Sequence, residues 1–429
     1  MKKTQSQPHG LSAGSAQAYA DRSGTTSFLG RHVPGVERWL LRRWLSLLND
    51  PPVAFVLRDG EVVAPPGVTP IARALVPDRA ALLTLLLYPY HFFGDGYAKG
   101  QIDLEGDLID GVKALYASLD HVGPRSFLQE RLHRWMNRPK RNSLAGSREN
   151  IHHHYDIGND FYRLWLDQRM VYTCAYYRSP TDTLEQAQLA KMDLVARKLR
   201  LRPGQSVVEA GCGWGSLALH MAGRYGVKVR AFNISHEQIA YARERAQAEG
   251  LSGQVEFVED DYRNISGKYD AFVSVGMLEH VGTEHYRELG RAIRRSLKEH
   301  GLGLIHSIGR NRPEPMNPWI EQRIFPGSYP PSLGQMMEIF TPHGFSVLDV
   351  ENLRLHYART CEHWLKRFEQ NVDRVVDMFD LEFARTWRIY LAGSVAAFLF
   401  GSLQLFQVVF AFPRNNEIPR IREDIYTDR

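Results

Sequence analysis

One glycine-rich segment, residues 209–215 with the sequence EAGCGWG, has the composition of a loop that binds a small ligand. It follows an apolar run that is typical of a buried strand and precedes a helical pattern. Gly211 and Gly213 allow the backbone to approach a ligand closely, and free N–H groups at the helix start face that ligand. Ser216 stands where a dinucleotide fingerprint needs Gly or Ala, and no Lys-Ser or Lys-Thr pair follows as in a P-loop. The segment therefore predicts a small-molecule site of another kind.

The acidic residues of this region indicate a superfamily. Glu209 precedes the Gly-x-Gly-x-Gly run, which resembles the cofactor loop of class I methyltransferases. At the predicted end of a later strand, Asp261 and Tyr262 resemble the acid and aromatic residue that hold adenine in that superfamily. The resemblance implies that the Asp261 carboxylate accepts the adenine amino proton while the Tyr262 ring stacks on the base. We expect S-adenosylmethionine as the cofactor, held also by Gly211 and Gly213.

Five further motifs narrow the resemblance to one family. They are HHHYDIGNDFYRLWLD (152–167), MVYTCAYY (170–177), VGMLEHVG (275–282), LIHSIG (304–309) and IFPGSYPPS (324–332). In this order, together with LQLFQVVF near the end, they resemble cyclopropane-fatty-acid-phospholipid synthases from about residue 150 onward. The related mycolic acid cyclopropane synthases share most of these motifs but usually lack so long an N-terminal domain.

This resemblance implies methylation of carbon. A cis double bond is a poor nucleophile, so it needs the activated methyl group of a sulfonium, and its attack leaves a carbocation. A base must then remove a proton from the new methyl group while water is excluded. The resemblance implies a bound bicarbonate ion in this role. Matched motif by motif, its contacts are Cys174, Glu279, His306, the backbone of Ile308, and Tyr357.

Other matched positions lie at the edge of the cofactor site. The resemblance places Tyr172 there, and it assigns Asn233 and Gln238 to the ribose and methionine parts of the donor. Asn233 replaces the ribose-binding acid that is usual at this strand end. The three histidines at 152–154 could suggest a metal, but three consecutive residues cannot all face one ion in regular structure, so we expect none.

Strand and helix patterns alternate from Pro203 onward, and they must position these residues. The alternation predicts an α/β fold, a Rossmann-like doubly wound parallel sheet of class I methyltransferase type, with ligands at the carboxyl ends of the strands.

The uncharged segment 389–412 is long enough to span a bilayer, but Gln404 and Gln407 would lie in the hydrocarbon. We predict a core helix up to about Gly401, followed by a strand from Leu403.

Composition divides the chain into four predicted parts. They are a disordered tail (1–26), a small N-terminal α+β domain for lipid, membrane or dimer contacts (27–120), a basic linker (121–150), and the methyltransferase domain with lipid-binding helical insertions (151–429). Within the small domain, 36–48 has helical spacing, and Asp59-Gly60 predicts a hairpin. The helix packs on its own domain or, as a second interpretation, contacts a membrane through Trp39 and Trp44.

Charge and cysteine content limit the environment. The net charge of +5 and pI of about 9.0 favour an anionic partner, here an acidic membrane surface. Nucleic acid is not expected, because the sequence lacks an Asn/Asp-Pro-Pro-Tyr-type motif. Three widely spaced cysteines and the absence of a secretory apolar run predict a cytoplasmic protein at the inner face of the membrane. Related enzymes are often dimers, so a homodimer is one expectation.

The sequence leaves three functions open. The first is cyclopropane formation on unsaturated phospholipid acyl chains. The second, with the same motifs, is formation of methyl- or methylene-branched chains, in which the cation is quenched differently. The third is a non-catalytic lipid-binding protein, against which the intact Glu279, His306 and glycine loop weigh.

Overall fold

The computed structural model describes residues 35–120 and 157–426 of the 429-residue chain. The chain divides into two compact units. The first holds the N-terminal residues together with segments 317–319 and 368–400, and the second holds the remainder. The sequence predictions for the tail 1–26, the linker 121–150 and the histidines at 152–154 lie outside the described residues.

The first unit contains a small mixed sheet with strand order β2-β1-β3-β4. Its strands are β1 (Val53–Leu57), β2 (Val62–Val63), β3 (Ala72–Val76) and β4 (Asp103–Gly106). Strands β1 and β2 form the antiparallel hairpin predicted at Asp59-Gly60, where Gly60 has a φ of +81°. Four helices accompany the sheet: α1 (Gly35–Leu47), α2 (Arg79–Leu87), α3 (Pro89–Ala98) and α4 (Leu108–Asp120).

The second unit is built on a seven-stranded sheet with strand order β10-β11-β9-β8-β5-β6-β7. Its strands are β5 (Ser206–Ala210), β6 (Lys228–Asn233), β7 (Val255–Glu259), β8 (Tyr269–Val275), β9 (Leu297–Gly309), β10 (Ser346–Asn352) and β11 (Gln404–Ala411). Strands β5 to β9 are parallel, whereas β11 is antiparallel to both β9 and β10. The predicted doubly wound parallel sheet is therefore confirmed for β5 to β9, and β11 adds an antiparallel strand that the sequence did not predict. The reason is that the chain returns to the sheet at β11 from the opposite end.

Helices cover both faces of this sheet, as a doubly wound fold requires. One face carries α6 (Leu184–Lys198), α7 (Ser216–Tyr225) and α8 (His236–Ala248), and the other carries α9 (Tyr286–Ser296) and α11 (Leu333–Phe340). Further helices along the chain are α5 (Asn159–Arg163), α10 (Pro318–Arg323), α12 (Arg354–Gln370) and α15 (Glu423–Tyr426). Short 3₁₀ helices at Tyr262–Asn264 and Leu278–His280 follow the carboxyl ends of β7 and β8. These two turns carry candidate site residues.

Two helices late in the chain, α13 (Val372–Met378) and α14 (Leu381–Phe400), belong to the first unit. This differs from the contiguous division at residues 121–150 that the sequence suggested. On α14 the buried Arg385 donates to the carbonyl oxygens of Tyr97 at 2.6 Å and Ile102 at 3.1 Å. An apolar helix needs a partner surface, but its sequence does not specify which one.

The predicted change from helix to strand within 389–412 is confirmed, because α14 ends at Phe400 and β11 begins at Gln404. Every residue of β11 is buried. Within the described residues, no helix combines the length and apolar character needed to cross a bilayer.

Candidate active site

The glycine loop joins β5 to α7 at the carboxyl edge of the sheet. Gly211 has a φ of +82°, and its N–H donates to the carbonyl oxygen of Phe232 at 2.9 Å. A Cβ at Gly211 would lie 2.8 Å from the Cβ of Met277, which follows β8. The loop therefore passes between the ends of β6 and β8, where a side chain has no room.

Gly213 and Gly215 serve different purposes. Gly213 has a φ of +54°, and within the described residues no atom lies within 4 Å of where its Cβ would stand. Gly215 has a φ of +80°, and a Cβ there would come within 2.6 Å of the Phe257 ring. Gly213 thus borders open space beside the loop, and its contact with the cofactor stays a prediction. Gly215 instead permits close packing at the start of α7.

Glu209 lies at the end of β5, almost fully buried, and shares its surroundings with a buried lysine. Burial raises the pKa of Glu209 to about 8, and the charge of Lys191 opposes that rise. Burial lowers the pKa of Lys191 to about 8, and the nearby carboxyl groups of Asp167 and Glu209 oppose this decrease. The Lys191 ammonium donates to the Thr173 hydroxyl at 3.0 Å. Lys191 therefore supplies positive charge between the glycine loop and the Cys174 segment.

Asn233 and Gln238 are brought together at the end of β6. The Asn233 side-chain amide donates to Gln238 Oε1 at 2.7 Å and to the Gly213 carbonyl at 3.4 Å. Asn233 Oδ1 accepts the Ile234 N–H at 2.8 Å. These bonds connect the carboxyl end of β6 to the glycine loop. Asn233 stands there in the position that a ribose-binding acid usually occupies.

Asp261 and Tyr262 lie where the sequence predicted, directly after β7. Asp261 caps the 3₁₀ turn by accepting the Arg263 N–H at 2.9 Å, and its other oxygen lies 3.3 Å from the Arg263 guanidinium. Tyr262 is 7% exposed and packs in the core, and burial raises the pKa of its hydroxyl. Asp261 therefore has an ionic partner on its own turn, and its role in adenine binding stays a prediction.

Tyr172 is part of an aromatic cluster that borders the glycine loop. Its ring centroid lies 5.1 Å from that of Trp165 and 5.3 Å from that of Trp364. The cluster also includes Phe161, Tyr162, Trp214 and Tyr357. Apart from Tyr172 and Tyr357, the sequence did not single out these residues. Their aromatic faces attract cations, which suits a sulfonium or a carbocation.

Glu279 is held by the backbone of β9. It lies on the 3₁₀ helix Leu278–His280, is 6% exposed, and its Oε1 accepts the Ile308 N–H at 2.6 Å. Its Oε2 is buried and has no hydrogen-bond partner among the residues that the structure describes. Burial raises the pKa of Glu279 from 4.5 to about 7, although the N–H groups of Glu279 and Ile308 lower it. The carboxyl group can therefore exchange a proton near neutral pH.

His306 precedes Ile308 by two residues on the same strand and is 1% exposed. Its Nδ1 lies 3.0 Å from Gln407 Nε2, and its Nε2 has no partner within the described part of the chain. Burial lowers the pKa of His306 well below 6.5, and the charges of Lys191 and Lys198 lower it further. The imidazole is therefore neutral at physiological pH.

Cys174 and Tyr357 are connected to this strand through Leu353. The Leu353 carbonyl accepts the Tyr357 N–H at 3.1 Å and lies 3.9 Å from the Cys174 sulfur. The Leu353 N–H donates to the Leu405 carbonyl, and Leu405 pairs with Ile308 across the sheet. Burial raises the pKa of the Cys174 thiol well above its ordinary value. These bonds connect Cys174 and Tyr357 to the strand that carries Ile308, with Cys174 as a thiol. Binding of bicarbonate by the five residues stays a prediction.

Three buried polar residues of this region were not predicted from the sequence: Lys191, Lys198 and Gln407. The signal for the two lysines was their position on the apolar stripe of α6, where Leu184, Ala187 and Leu194 are also buried. Gln407 was noticed as an argument against a membrane span, but not as a site residue. As for metals, no cluster of histidine, cysteine or acidic residues in 35–120 or 157–426 could hold an ion.

Known proteins are similar to this chain in sequence. A family model described as mycolic acid cyclopropane synthetase matches residues 142–408. A probable fatty acid methyltransferase of Pseudomonas putida is 35% identical over 378 residues, which are 84% of this chain and 93% of that protein. The cyclopropane-fatty-acyl-phospholipid synthase of Escherichia coli strain K12 is 40% identical over 259 residues, or 60% of this chain and 66% of that protein.

A solved structure agrees with the sequence comparisons. The mycolic acid cyclopropane synthase CmaA1, complexed with SAH and CTAB, aligns with a TM-score of 0.58 and 29% identity. The alignment covers 61% of this chain and 97% of that one. Together with the sheet and the glycine loop, these findings define a class I S-adenosylmethionine-dependent methyltransferase. The chain belongs to the mycolic acid cyclopropane synthetase family, which confirms the resemblance seen in the sequence.

The raised pKa of Glu279 predicts how stability depends on pH. Above pH 4.5 the unfolded chain releases this proton, whereas the native protein keeps it up to about pH 7. The native state therefore loses stability as the pH rises through this window. Relative to wild type, Glu279→Gln should gain up to about 3 kcal/mol in unfolding free energy between pH 4.5 and 8. Urea titrations across this range measure the difference, and a difference independent of pH would contradict the burial of an acidic Glu279.

Proposed function

We propose that this protein is a cyclopropane-fatty-acyl-phospholipid synthase. It transfers a methylene group from S-adenosylmethionine to the cis double bond of unsaturated phospholipid acyl chains. The proposal rests on one observation above all, the two buried polar groups of His306 on β9 and of Glu279, which is hydrogen-bonded to β9. In the described residues each presents one buried polar atom, Glu279 Oε2 and His306 Nε2, with no hydrogen-bond partner. The name of the Escherichia coli relative supports the same activity.

These two groups fit a bicarbonate ion. Buried polar atoms need partners, and bicarbonate offers both a hydroxyl donor and anionic acceptor oxygens. Glu279 Oε2 would accept from its hydroxyl, and His306 Nε2 would donate to an anionic oxygen. Tyr357 and the Cys174 thiol are the further contacts that the resemblance implies. When bound, bicarbonate supplies a base for the proton that leaves the new methyl group.

The reaction balances with these groups. The π electrons of the double bond form a bond to the methyl carbon, the S–C bond breaks, and sulfur keeps its electron pair in S-adenosylhomocysteine. The acyl chain then carries a cation. Loss of a proton from the added methyl group leaves the C–H electrons to close the three-membered ring. Glu279, with a pKa of about 7, can accept the released proton and pass it on.

The surroundings support a cationic intermediate. Tyr172 is the partly exposed ring of the aromatic cluster, and the face of such a ring stabilises positive charge. Burial of Glu279 and His306 indicates a site from which water, a competitor for the cation, is kept out. The Cys174 thiol, with its raised pKa, acts as a neutral hydrogen-bonding group rather than as a nucleophile.

A second function shares the first steps. The Pseudomonas putida relative carries the name probable fatty acid methyltransferase, and it matches most of the chain. In that alternative the cation is quenched to leave a methyl- or methylene-branched chain. The same cofactor loop and acid would serve both reactions, so only the structure of the product separates them. A non-catalytic lipid-binding protein is disfavoured, because it would not need a buried acid with a raised pKa.

We also infer peripheral contact with an anionic membrane on the cytoplasmic side. Helix α1 exposes Val36, Trp39 and Leu47, whose exposures are 64%, 64% and 61%. Arg42 and Arg43 are exposed on the same helix. Apolar side chains with neighbouring arginines suit the interface of a bilayer that contains acidic lipids. The predicted homodimer and the lipid-binding role of the helical insertions stay predictions.

Glu279→Gln tests the catalytic assignment. It keeps the acceptor for the Ile308 N–H but removes the proton acceptor, so turnover should fall at least about 100-fold. Affinity for S-adenosylhomocysteine, measured by calorimetry, should change less than about threefold. The matched control is Glu284→Gln, a nearby acid with a 47% exposed side chain, which should keep its activity. Near-normal turnover of Glu279→Gln would contradict the assignment.

Trp39→Glu tests the membrane surface. Loss of an exposed indole and gain of a negative charge should weaken binding to phosphatidylglycerol vesicles about tenfold in a sedimentation assay. Ile421→Glu is the control, since Ile421 is 66% exposed in the second unit and carries no part of this surface. Equal vesicle binding by both variants would show that α1 does not contact the lipid.

A further inference from the structure

A row of polar side chains crosses the sheet beneath the candidate site. Glu351 on β10 pairs with Gln407 on β11, and Gln407 pairs with His306 on β9. Residues that are paired on adjacent strands point to the same face, so these three side chains lie side by side. Gln407 is fully buried, and His306 is 1% exposed. The row therefore runs from a partly exposed strand into the interior.

Lys198 on α6 covers this row. Its ammonium donates to Gln407 Oε1 at 2.8 Å and forms an ion pair with Glu351. The carboxylate of Asp349 lies 3.8 Å from it. The Lys198 side chain has no exposed area, so these two carboxylates compensate a charge that water does not reach. This contact holds the ammonium against one end of the Gln407 amide.

The direction of each hydrogen bond follows from the chemistry of the groups. An ammonium can only donate, so the atom of Gln407 that faces Lys198 must be the carbonyl oxygen. The other end of the amide is then the NH₂ group, which can only donate, and it lies 3.0 Å from His306 Nδ1. Nδ1 must therefore accept. A neutral imidazole has one N–H, which is consequently on Nε2.

We propose that Lys198 and Gln407 are positioning residues that fix His306 in the tautomer with its proton on Nε2. This N–H is the buried donor that has no partner in the described part of the protein. In the other tautomer Nε2 would present a lone pair, which repels an anion. This chain of hydrogen bonds from Lys198 through Gln407 to His306, the relay, thus prepares His306 as an anion-binding donor. The identity of that anion rests on the proposed function, but the tautomer does not.

Gln407→Glu tests the relay directly. A carboxylate of nearly the same shape accepts from Lys198 at one oxygen and from His306 at the other, so the imidazole proton should move to Nδ1. The experiment uses full-length protein with ¹⁵N-labelled histidine. Nitrogen NMR shifts distinguish the two tautomers, and a His306→Asn variant identifies the resonance among the 17 histidines. Wild type should show a protonated Nε2 and a bare Nδ1, and Gln407→Glu should show a protonated Nδ1.

Two further variants distinguish the effect of the Lys198–Gln407–His306 hydrogen bonds from a nonspecific change in the structure. Gln404→Glu is the matched control, because Gln404 is buried on the same strand but bonds Asn352 and the Gly401 carbonyl instead. It should leave the wild-type tautomer unchanged. Lys198→Met removes the donor that orients the amide, so both tautomers should appear. A protonated Nδ1 in wild type, or an unchanged tautomer in Gln407→Glu, would overturn the proposal.

A kinetic measurement tests what the tautomer does. In Gln407→Glu the apparent KM for bicarbonate should rise at least about tenfold, the loss expected for a hydrogen bond to an anion. Affinity for S-adenosylhomocysteine should remain within about threefold of wild type. A switched tautomer with an unchanged KM for bicarbonate would overturn the role in anion binding. Because the NMR measurement needs no turnover, an inactive wild type with protonated Nε2 would refute the proposed function while supporting the relay.

Discussion

The hydrogen bond from the Ile308 N–H to Glu279 depends on a difference in length between two neighbouring strands. Strand β8 pairs with β9 as far as Val275 and His306, and β9 continues to Gly309. The backbone of Ile308 therefore projects past the end of its parallel neighbour. The 3₁₀ helix after β8 brings Glu279 back to this position, where the N–H holds one carboxylate oxygen at 2.6 Å. The other oxygen is left for a ligand, and the acid is buried because the strand end is buried.

The interior around Glu279 contains several ionisable groups. Each of them either has a pKa that favours its neutral form or lies near a compensating group. Glu279 and Glu209 have raised pKa values, His306 has a lowered one, and the two buried lysines lie near carboxylates or hydroxyls. Neutral forms avoid the desolvation cost of a buried charge, and paired forms compensate it. The two lysine charges are thus compensated, and His306 stays a neutral group.

The sequence predicted the parts of the fold that depend on local pattern. The glycine loop, the β5–α7 unit and the change from helix to strand after Phe400 all follow from spacing and residue type. It did not predict the antiparallel direction of β11 or the membership of α14 in the first unit. Both depend on where a distant segment finds its partner, and local periodicity carries no information about that choice.

The sequence singled out some residues of the candidate site and missed others, as it did for the elements of the fold. The family motifs singled out Glu279, His306, Ile308, Cys174 and Tyr357; the structure links Glu279 to Ile308, and Cys174 and Tyr357 to Leu353, while their roles stay predictions. Lys198 and Gln407 were not found, since each looks like an ordinary residue until three strands and a helix are assembled. The register that aligns Glu351, Gln407 and His306 is a tertiary property. Asp261 was singled out by the sequence, but in the structure its carboxylate contacts the Arg263 guanidinium.

The central claim is that an alkylated acyl chain loses a proton from the added methyl group at this site. The most direct test supplies S-adenosylmethionine with a fully deuterated methyl group, together with bicarbonate and vesicles of cis-unsaturated phospholipid, and analyses the acyl chains by mass spectrometry before and after hydrogenation. Cyclopropane formation gives a product that keeps two of the three deuterium atoms and resists hydrogenation. A product that keeps all three, or that takes up hydrogen, would contradict it.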